Sequence, residues 1–284
     1  MTLVDDLPGP GSLHWRYGGD RRGYLLLVKA GLLQLMHPGL GAGVEQHSDF
    51  FNEPWQRVLR SVPQIQGTTF DWPNGARTAR KITDFHTDIK GVDGNGRRYH
   101  ALDPEVYFWA HATIFDGLFQ LIDLFDHPMT DAEKDQLYAE GCRIYRAYGV
   151  SDRVMPPDWP SFREYFDRVC REDLEITPAA RGLIEFSKNP PETFPLVPAP
   201  IYRLLRKPSA KPMWWLAVGT FPEPVRELLG ERWTARDERR FTRVQGVVRR
   251  TFPLLPRAAR VSPGAVAAYR RTGVGPRGGR KLTV

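Results

Sequence analysis

The sequence predicts an all-α fold, a helical bundle in a single domain, from three observations. Apolar residues recur at helical spacing through most of the chain. Helix-start signatures such as Asp103-Pro104, Thr130-x-x-Glu133 and Thr177-Pro178 punctuate it, and the alternating pattern of strands is nearly absent. No repeat or compositional break marks a second domain. Residues 1–22 read as an N-terminal arm, 23–272 as the domain and 273–284 as a basic flexible tail.

The elements follow in order. The Gly- and Pro-rich arm carries Trp15 and Tyr17, placed to dock on the body. A buried helix is predicted from Tyr24 to Met36, because Leu25, Leu26, Val28, Leu32, Leu33 and Met36 cover more than one face. Pro38 and the following glycines bend it. A further helix covers about 43–61 and stops before Pro63, and residues 62–75 read as loop from Pro63, Gly67, Pro73 and Asn74-Gly75. Helix resumes near Ala76 and carries His86 to a glycine stop at Gly91. Asp93-Gly-Asn-Gly96 gives a tight turn and at most a minimal hairpin. Asp103 caps, and Pro104 opens, a central helix over 104–126. Capping boxes at Thr130-x-x-Glu133 and Ser161-x-x-Glu164 predict helices to about Tyr148 and Glu172. Thr177-Pro178 starts another to about Ser187. A proline-rich connector over 190–200 precedes a short helix at 201–206 and helices at 222–230, 234–252 and 263–272.

Composition narrows the function classes. The formal charge is +7, but the late arginines are scattered through helical sequence, and no zinc-finger, recognition-helix or RNA-binding signature accompanies them. A solvated helix face accounts for them, and no nucleic-acid partner is predicted. Cys142 and Cys170 both fall in helical patterns and read as buried free thiols rather than a disulfide or a cysteine-ligated metal. The N-terminus lacks a basic-then-apolar signal, and the longest apolar run, Tyr24 to Met36, contains Lys29 and is too short to span a bilayer. These features predict a soluble, cytoplasmic protein with no stable membrane insertion; they specify no oligomer. The eight Trp fit a Trp-rich core as well as an aromatic-lined cavity.

Chemistry concentrates around two histidines. His86 lies in Arg80-Lys-Ile-Thr-Asp-Phe-His86-Thr-Asp-Ile-Lys90-Gly91, where a helix would put Thr83 and Lys90 on its face. His111 lies in Trp109-Ala-His111-Ala-Thr113, on the more hydrophobic helix. Histidine is the commonest protein ligand for iron, copper and zinc, and it is also met as a satisfied core residue; both readings stand for each. Arg57, Arg60 and Ser61 share a helical face that can stabilise an anion or simply meet water. The Gly39–Gly43 bend lacks the Lys-Ser/Thr of a phosphate loop. Zinc-protease, nucleophile-elbow and dinucleotide motifs are also absent, so hydrolase and nicotinamide chemistry have no support.

Taken together, the ordered segments resemble the family of bacterial rubber oxygenase (latex clearing protein) and the fungal mycophenolic-acid-pathway oxygenase, which has many actinobacterial members. The segments are Gln34-Leu-Met-His37-Pro38, Gly43-Val44 with His47-Ser48, Arg57-x-x-Arg60-Ser61, His86-x-x-Ile89-Lys90-Gly91, Tyr99-x-Ala101-x-Asp103-Pro104 and Trp109-Ala-His111-Ala-Thr113, over about residues 24–190. The resemblance implies a distantly globin-like bundle binding haem b. It maps an axial-histidine motif, Arg-x-x-His-x-x-x-Arg, onto His86, with Lys90 for the second arginine and Thr83 departing from the first. It maps a distal Arg-x-x-Lys-Thr group onto Arg57, Arg60 and Ser61; arginine, unlike lysine, does not deprotonate to ligate iron. His111 becomes a second candidate ligand or pocket residue.

The expectation is a haem b-dependent oxygenase or oxidoreductase acting on a small hydrophobic substrate and drawing on a redox partner. His86 would hold the iron, with Lys90 and His111 nearby, and Arg57, Arg60 and Ser61 would face the opposite side. Two alternatives stand beside it: a non-catalytic haem sensor or carrier ligated by two histidines, and a helical binding protein without cofactor.

Overall fold

The computed structural model describes residues 7–48, 54–192 and 197–276. A short helix α1 (Leu13–Tyr17) and a 3-10 segment (Arg21–Leu26) lead into α2 (Leu27–Met36), α3 (Pro38–His47), α4 (Pro54–Phe70) and α5 (Gly75–Asp84). A two-stranded antiparallel hairpin, β1 (Lys90–Val92) with β2 (Arg98–His100), pairs Gly91 with Tyr99. Then come α6 (Pro104–Phe125), α7 (Asp131–Tyr148), α8 (Trp159–Glu172), α9 (Pro178–Lys188), α10 (Ala199–Thr220), α11 (Glu223–Leu228), α12 (Ala235–Thr251), α13 (Arg257–Arg260) and α14 (Pro263–Thr272). The chain is all-α apart from the hairpin, as the periodicity predicts.

Local chemistry explains where expectation and structure meet. Asp103 accepts from the Glu105 amide at 3.0 Å and Pro104 opens α6. Thr130 and Glu133 form the reciprocal capping box of α7, and Thr177 caps α9. The tight turn at Gly96 takes φ 77°, a backbone region open to glycine.

Several boundaries differ. The helix predicted over about 43–61 is two, α3 running through the glycines from Pro38 to His47 and α4 beginning at Pro54. α4 runs through Pro63 to Phe70, because half-buried Val62, Ile65 and Gln66 and buried Thr69 pack one helical face onto the body, which outweighs the backbone bond a proline forfeits. α5 stops at Asp84, so His86 sits in a turn and Lys90 begins β1 instead of extending the helix. α8 starts at Trp159 rather than after Ser161, since the Asp158 carboxylate accepts the Ser161 amide at 2.9 Å. α10 spans 22 residues through Pro208 and Pro212, where only a short helix over 201–206 is predicted.

The core forms around α6, which packs against α2 and α7. Trp109 is fully buried and its indole N–H donates to the Leu33 carbonyl at 2.9 Å, tying α6 to α2. Phe115, Phe119, Tyr138, Phe162 and Phe166 extend the core toward α7 and α8. The arm is part of this body. Leu13 and Tyr17 join the main core, while fully buried Trp15 packs with Phe70 and with Ala265, Ala268 and Tyr269 of α14. The Tyr269 hydroxyl donates to the Trp15 carbonyl at 2.8 Å and closes the C-terminal helix onto the N-terminal one. Cys142 and Cys170 are buried free thiols. Among the described residues no single helix is long and apolar enough to cross a membrane.

One ionic cluster lies inside. The Lys29 ammonium of α2 is hydrogen-bonded to Asp116 of α6, and Arg163 of α8 reaches the other Asp116 oxygen at 2.8 Å. Lys29 and Asp116 are each 1% exposed, so neither ion has a solvent alternative. Removing one partner of such a pair strands the other. Asp116→Ala is expected to lower the free energy of unfolding by about 3–5 kcal/mol, read by urea denaturation; an effect below 1 kcal/mol would mean that the cluster is effectively solvated.

Candidate functional site

An apolar cavity of about 200 Å³ lies between α4 and α6. From α6 come His111, Ile114, Phe115 and Leu118, at i, i+3, i+4 and i+7. From α4 come Val62, Ile65, Gln66 and Thr69, at the same spacing. His14 and Tyr17 of α1, Leu27 and Ala30 of α2, and Ile144 and Tyr148 of α7 complete much of the wall. Two facing helical stripes thus make the cavity, and imidazoles are its notable polar groups.

His111 is embedded in aromatic rings, stacked on Phe115 at 5.6 Å with Tyr145 and Tyr148 at 5.3 and 6.0 Å. Its Nε2 is buried without a hydrogen-bond partner, while the ring bonds to the backbone at Gly141. Burial, reinforced by the nearby His14 and only partly opposed by the Gly141 bond, pushes the imidazole down to about 3. The ring is therefore neutral near pH 7, with a free lone pair: the form that ligates metals.

His14 enters the same cavity from α1. Its Nδ1 lies 3.1 Å from the Glu140 carboxylate of α7, which also accepts the amides of Leu13 and His14 at 3.0 and 2.9 Å and the Gln136 side chain at 2.8 Å. Although burial opposes it, these bonds, led by His14, hold the Glu140 carboxyl below the usual range, so it is anionic. The adjacent Gly141 is required by packing: a Cβ there would meet the Phe115 ring at 2.1 Å.

The residues predicted from sequence are spread out. His86 lies outside the cavity, edge-on to Tyr107 at 5.9 Å, with Nδ1 bonded to the Ile82 carbonyl at 2.7 Å. The Thr83 hydroxyl donates to the Tyr148 carbonyl at 2.8 Å, a helix-to-helix tie between α5 and α7. Lys90 is exposed on the hairpin. Arg60 is exposed, two residues before Val62 and so on the far side of α4. Ser61 is half-buried beside the cavity stripe but not part of it. Arg57 falls on α4, but its side chain lies outside the described residues. The structure thus brings His111 to the cavity and does not bring His86, Lys90, Arg60 or Ser61 there.

His14 and Glu140 escaped the sequence reading. One signal was present: Glu140 sits at i+3 from Leu137 and i−4 from Ile144, a carboxylate on the buried face of α7. A second recess of about 760 Å³, lined by Lys29, Asp116, Arg163, Asp167 and Glu227 among others, is polar, and its buried charges are already paired.

The model of a family described as "ER-bound oxygenase mpaB/B'/Rubber oxygenase, catalytic domain" matches residues 15–250. Two proteins named only as uncharacterised, from Mycobacterium bovis and Mycobacterium tuberculosis, are each 22% identical over 237 residues, covering 80% of this chain and 88% of the relative. No solved structure gives a significant match.

Two outcomes test the cavity as drawn. The folded pKa of His111 lies below that of an unfolded histidine, so the unfolded chain takes the proton first. The associated stability is intact above about pH 6.5 and is lost as pH falls toward 3. His111→Phe keeps a ring and removes this share; its melting temperature should fall less than that of the wild type between neutral pH and mildly acidic pH, and equal slopes would place His111 in water. Gly141→Ala should cost about 1–3 kcal/mol by overpacking against Phe115, measured by chemical denaturation.

Proposed function

The chain belongs to the mpaB/rubber-oxygenase catalytic-domain family, and on that premise we propose that it is a haem b-dependent oxygenase or related oxidoreductase acting on a small hydrophobic molecule. One observation carries the reading: the buried, unpartnered Nε2 of His111 on an apolar cavity. We assign His111 as the protein ligand to the iron.

The donor chemistry suits that group. Among the described residues no group of three or more His, Cys, Asp or Glu side chains is arranged to hold a metal ion. A bare ion needs three or four protein donors, whereas a metal carried in a macrocycle brings four nitrogens and asks for one or two more. The walls from α4 and α6 supply the apolar lining that a porphyrin and a hydrophobic substrate both require. The present volume, about 200 Å³, is below the roughly 300–1,000 Å³ of pockets that enclose drug-sized ligands. As it stands the cavity is smaller than a macrocycle, so what supports the reading is its donor and lining chemistry and not its volume. Haem bound there would supply redox-active iron and oxygen activation, with electrons from a redox partner.

The protein's own residues would do three things. His111, neutral and held through Gly141, offers its lone pair in a fixed direction. The aliphatic stripes exclude water and favour an apolar substrate. The Tyr148 hydroxyl, hydrogen-bonded with Thr68, and the Gln66 side chain, which donates to the Gly18 carbonyl at 3.0 Å, are polar groups already engaged and so leave the lining apolar.

The resemblance-based ligand, His86, is the competing assignment, and a non-catalytic haem carrier or sensor is the competing function; the second imidazole at the cavity favours the latter. Absorption spectra after hemin reconstitution separate them. The reading expects a Soret band that shifts on reduction with carbon monoxide, loss of haem in His111→Ala and retention in His86→Ala. Haem lost from His86→Ala and kept by His111→Ala would transfer the ligand to His86. A reduced spectrum indifferent to carbon monoxide would favour the carrier, and no Soret band would remove haem altogether.

A further inference from the structure

We propose that the N-terminal half of α10 docks this protein on an anionic lipid surface, lying in the plane of the interface with an aliphatic stripe in the lipid and a row of cations at the headgroups. The inference does not rest on the haem reading.

The helix has two unlike halves. Toward its C-terminus it is part of the core, where Trp214, Leu216, Ala217, Val218 and Thr220 are buried. Toward its N-terminus it turns aliphatic side chains to solvent: Leu204 is 76% exposed, Leu205 53% and Ile201 52%, and Pro208 and Pro212 are exposed with them. These five sit at i, i+3, i+4, i+7 and i+11 from Ile201, which is one face of a helix. Apolar side chains exposed singly are ordinary on a protein surface; a line of them on one helix marks an interaction face.

The charges supply the second observation. α10 contains Arg203, Arg206, Lys207 and Lys211 and no Asp or Glu. Arg206 is turned back onto the body, where it donates to the Pro190 carbonyl at 2.8 Å and pairs with Glu192 at 3.1 Å. Arg203, Lys207 and Lys211 recur every fourth residue along one flank of the aliphatic stripe. All three are exposed, and none forms an ion pair among the described residues.

Of the occupants that could cover such a face, a lipid surface fits best. A second copy would bring the cationic rows together with no acid on either helix to answer them. A protein partner is gripped mainly through aromatic and arginine anchors in well-packed pockets, with leucine under-represented, and this stripe holds no aromatic side chain. A bilayer needs no matching pocket. It accepts protruding aliphatic groups at the acyl boundary, while the long stems of Lys and Arg lead their charges back to the phosphates. Among the described residues no single helix is long and apolar enough to cross a membrane, and the C-terminal half of α10 is held in the core, so the mode is interfacial. α10 also packs against the 3-10 segment and α2, both of which line the apolar cavity, so the docking helix and the cavity share a support.

The experiment measures co-sedimentation of the full chain with vesicles of phosphatidylcholine alone and with vesicles containing about one-third phosphatidylglycerol. The wild type should bind the anionic vesicles, release them as salt is raised, and ignore the neutral ones. Lys207→Gln should weaken binding about fivefold, and its combination with Arg203→Gln and Lys211→Gln about a hundredfold. Leu204→Ser and Leu205→Ser should each weaken it about tenfold with no change of charge, a loss that adsorption by charge alone would not show. Arg239→Gln removes an exposed cation from α12 instead and should leave binding as it is. Because these side chains are exposed, every variant should melt like the wild type. A wild type that ignores anionic vesicles would overturn the proposal, as would undiminished binding by both Leu variants or an equal loss in Arg239→Gln. A dimer in sizing chromatography that Leu204→Ser dissolves would also overturn it, and would assign the stripe to a second copy of the chain.

Discussion

Gly141 lets the Phe115 ring lie directly on the backbone of α7, and the arrangement of the cavity follows from that contact. A side chain there would meet the ring at 2.1 Å, so only glycine allows α6 and α7 this approach. The same turn of α7 then serves both imidazoles. Glu140 holds His14 through its carboxylate, and Gly141 holds His111 through its backbone. Phe115 is the surface on which both rings rest. Spacing between the helices and orientation of the rings are thereby set by two adjacent residues. Close packing transmits the consequence, because an interior at crystal-like density has no slack to absorb a methyl group.

The second internal constraint is electrostatic and lies on another face of α6. Asp116 is one residue beyond Phe115, so α6 turns an aromatic ring toward α7 and a carboxylate toward α2 and α8. Lys29 and Arg163 share that carboxylate, and both cations also lie over the Phe166 ring, at 5.6 and 5.4 Å. Burial of this cluster adds little net stability over an apolar core of equal volume, but it is unforgiving of misplacement. It therefore fixes how α2, α6 and α8 register against one another. α2 in turn lends Leu27 and Ala30 to the cavity wall, so the polar cluster and the apolar cavity share a helix.

The fold was legible where local chemistry dominates. Caps at Asp103, Thr130 and Thr177 act within one turn, and the glycine turn at Gly96 acts within four residues, so sequence alone places them. Pro63 shows the limit: locally it breaks helices, yet the buried stripe of α4 carries the helix through it. The site was legible only in part, for a related reason. His111 stands in a patterned helix and is found by inspection. His14 does not, because its partner is 126 residues away and its cavity is closed by α4. His86 attracted attention by motif, but α5 ends two residues before it, and a turn points its ring at Tyr107 instead of the cavity. Arg60 and Ser61 show the same effect on a smaller scale, since a shift of one or two positions on a helix decides between solvent and cavity.

The two cysteines carry a practical consequence. Both are buried, and burial raises each thiol, Cys170 to about 12, so the reactive thiolate is scarce near neutral pH. The folded chain therefore behaves toward alkylating and oxidising reagents much as a cysteine-free protein would. A cysteine placed on its surface would be a unique attachment point. A spin label or dye on the exposed side of α4, at Arg60 for instance, would report on that wall without any need to remove the native thiols.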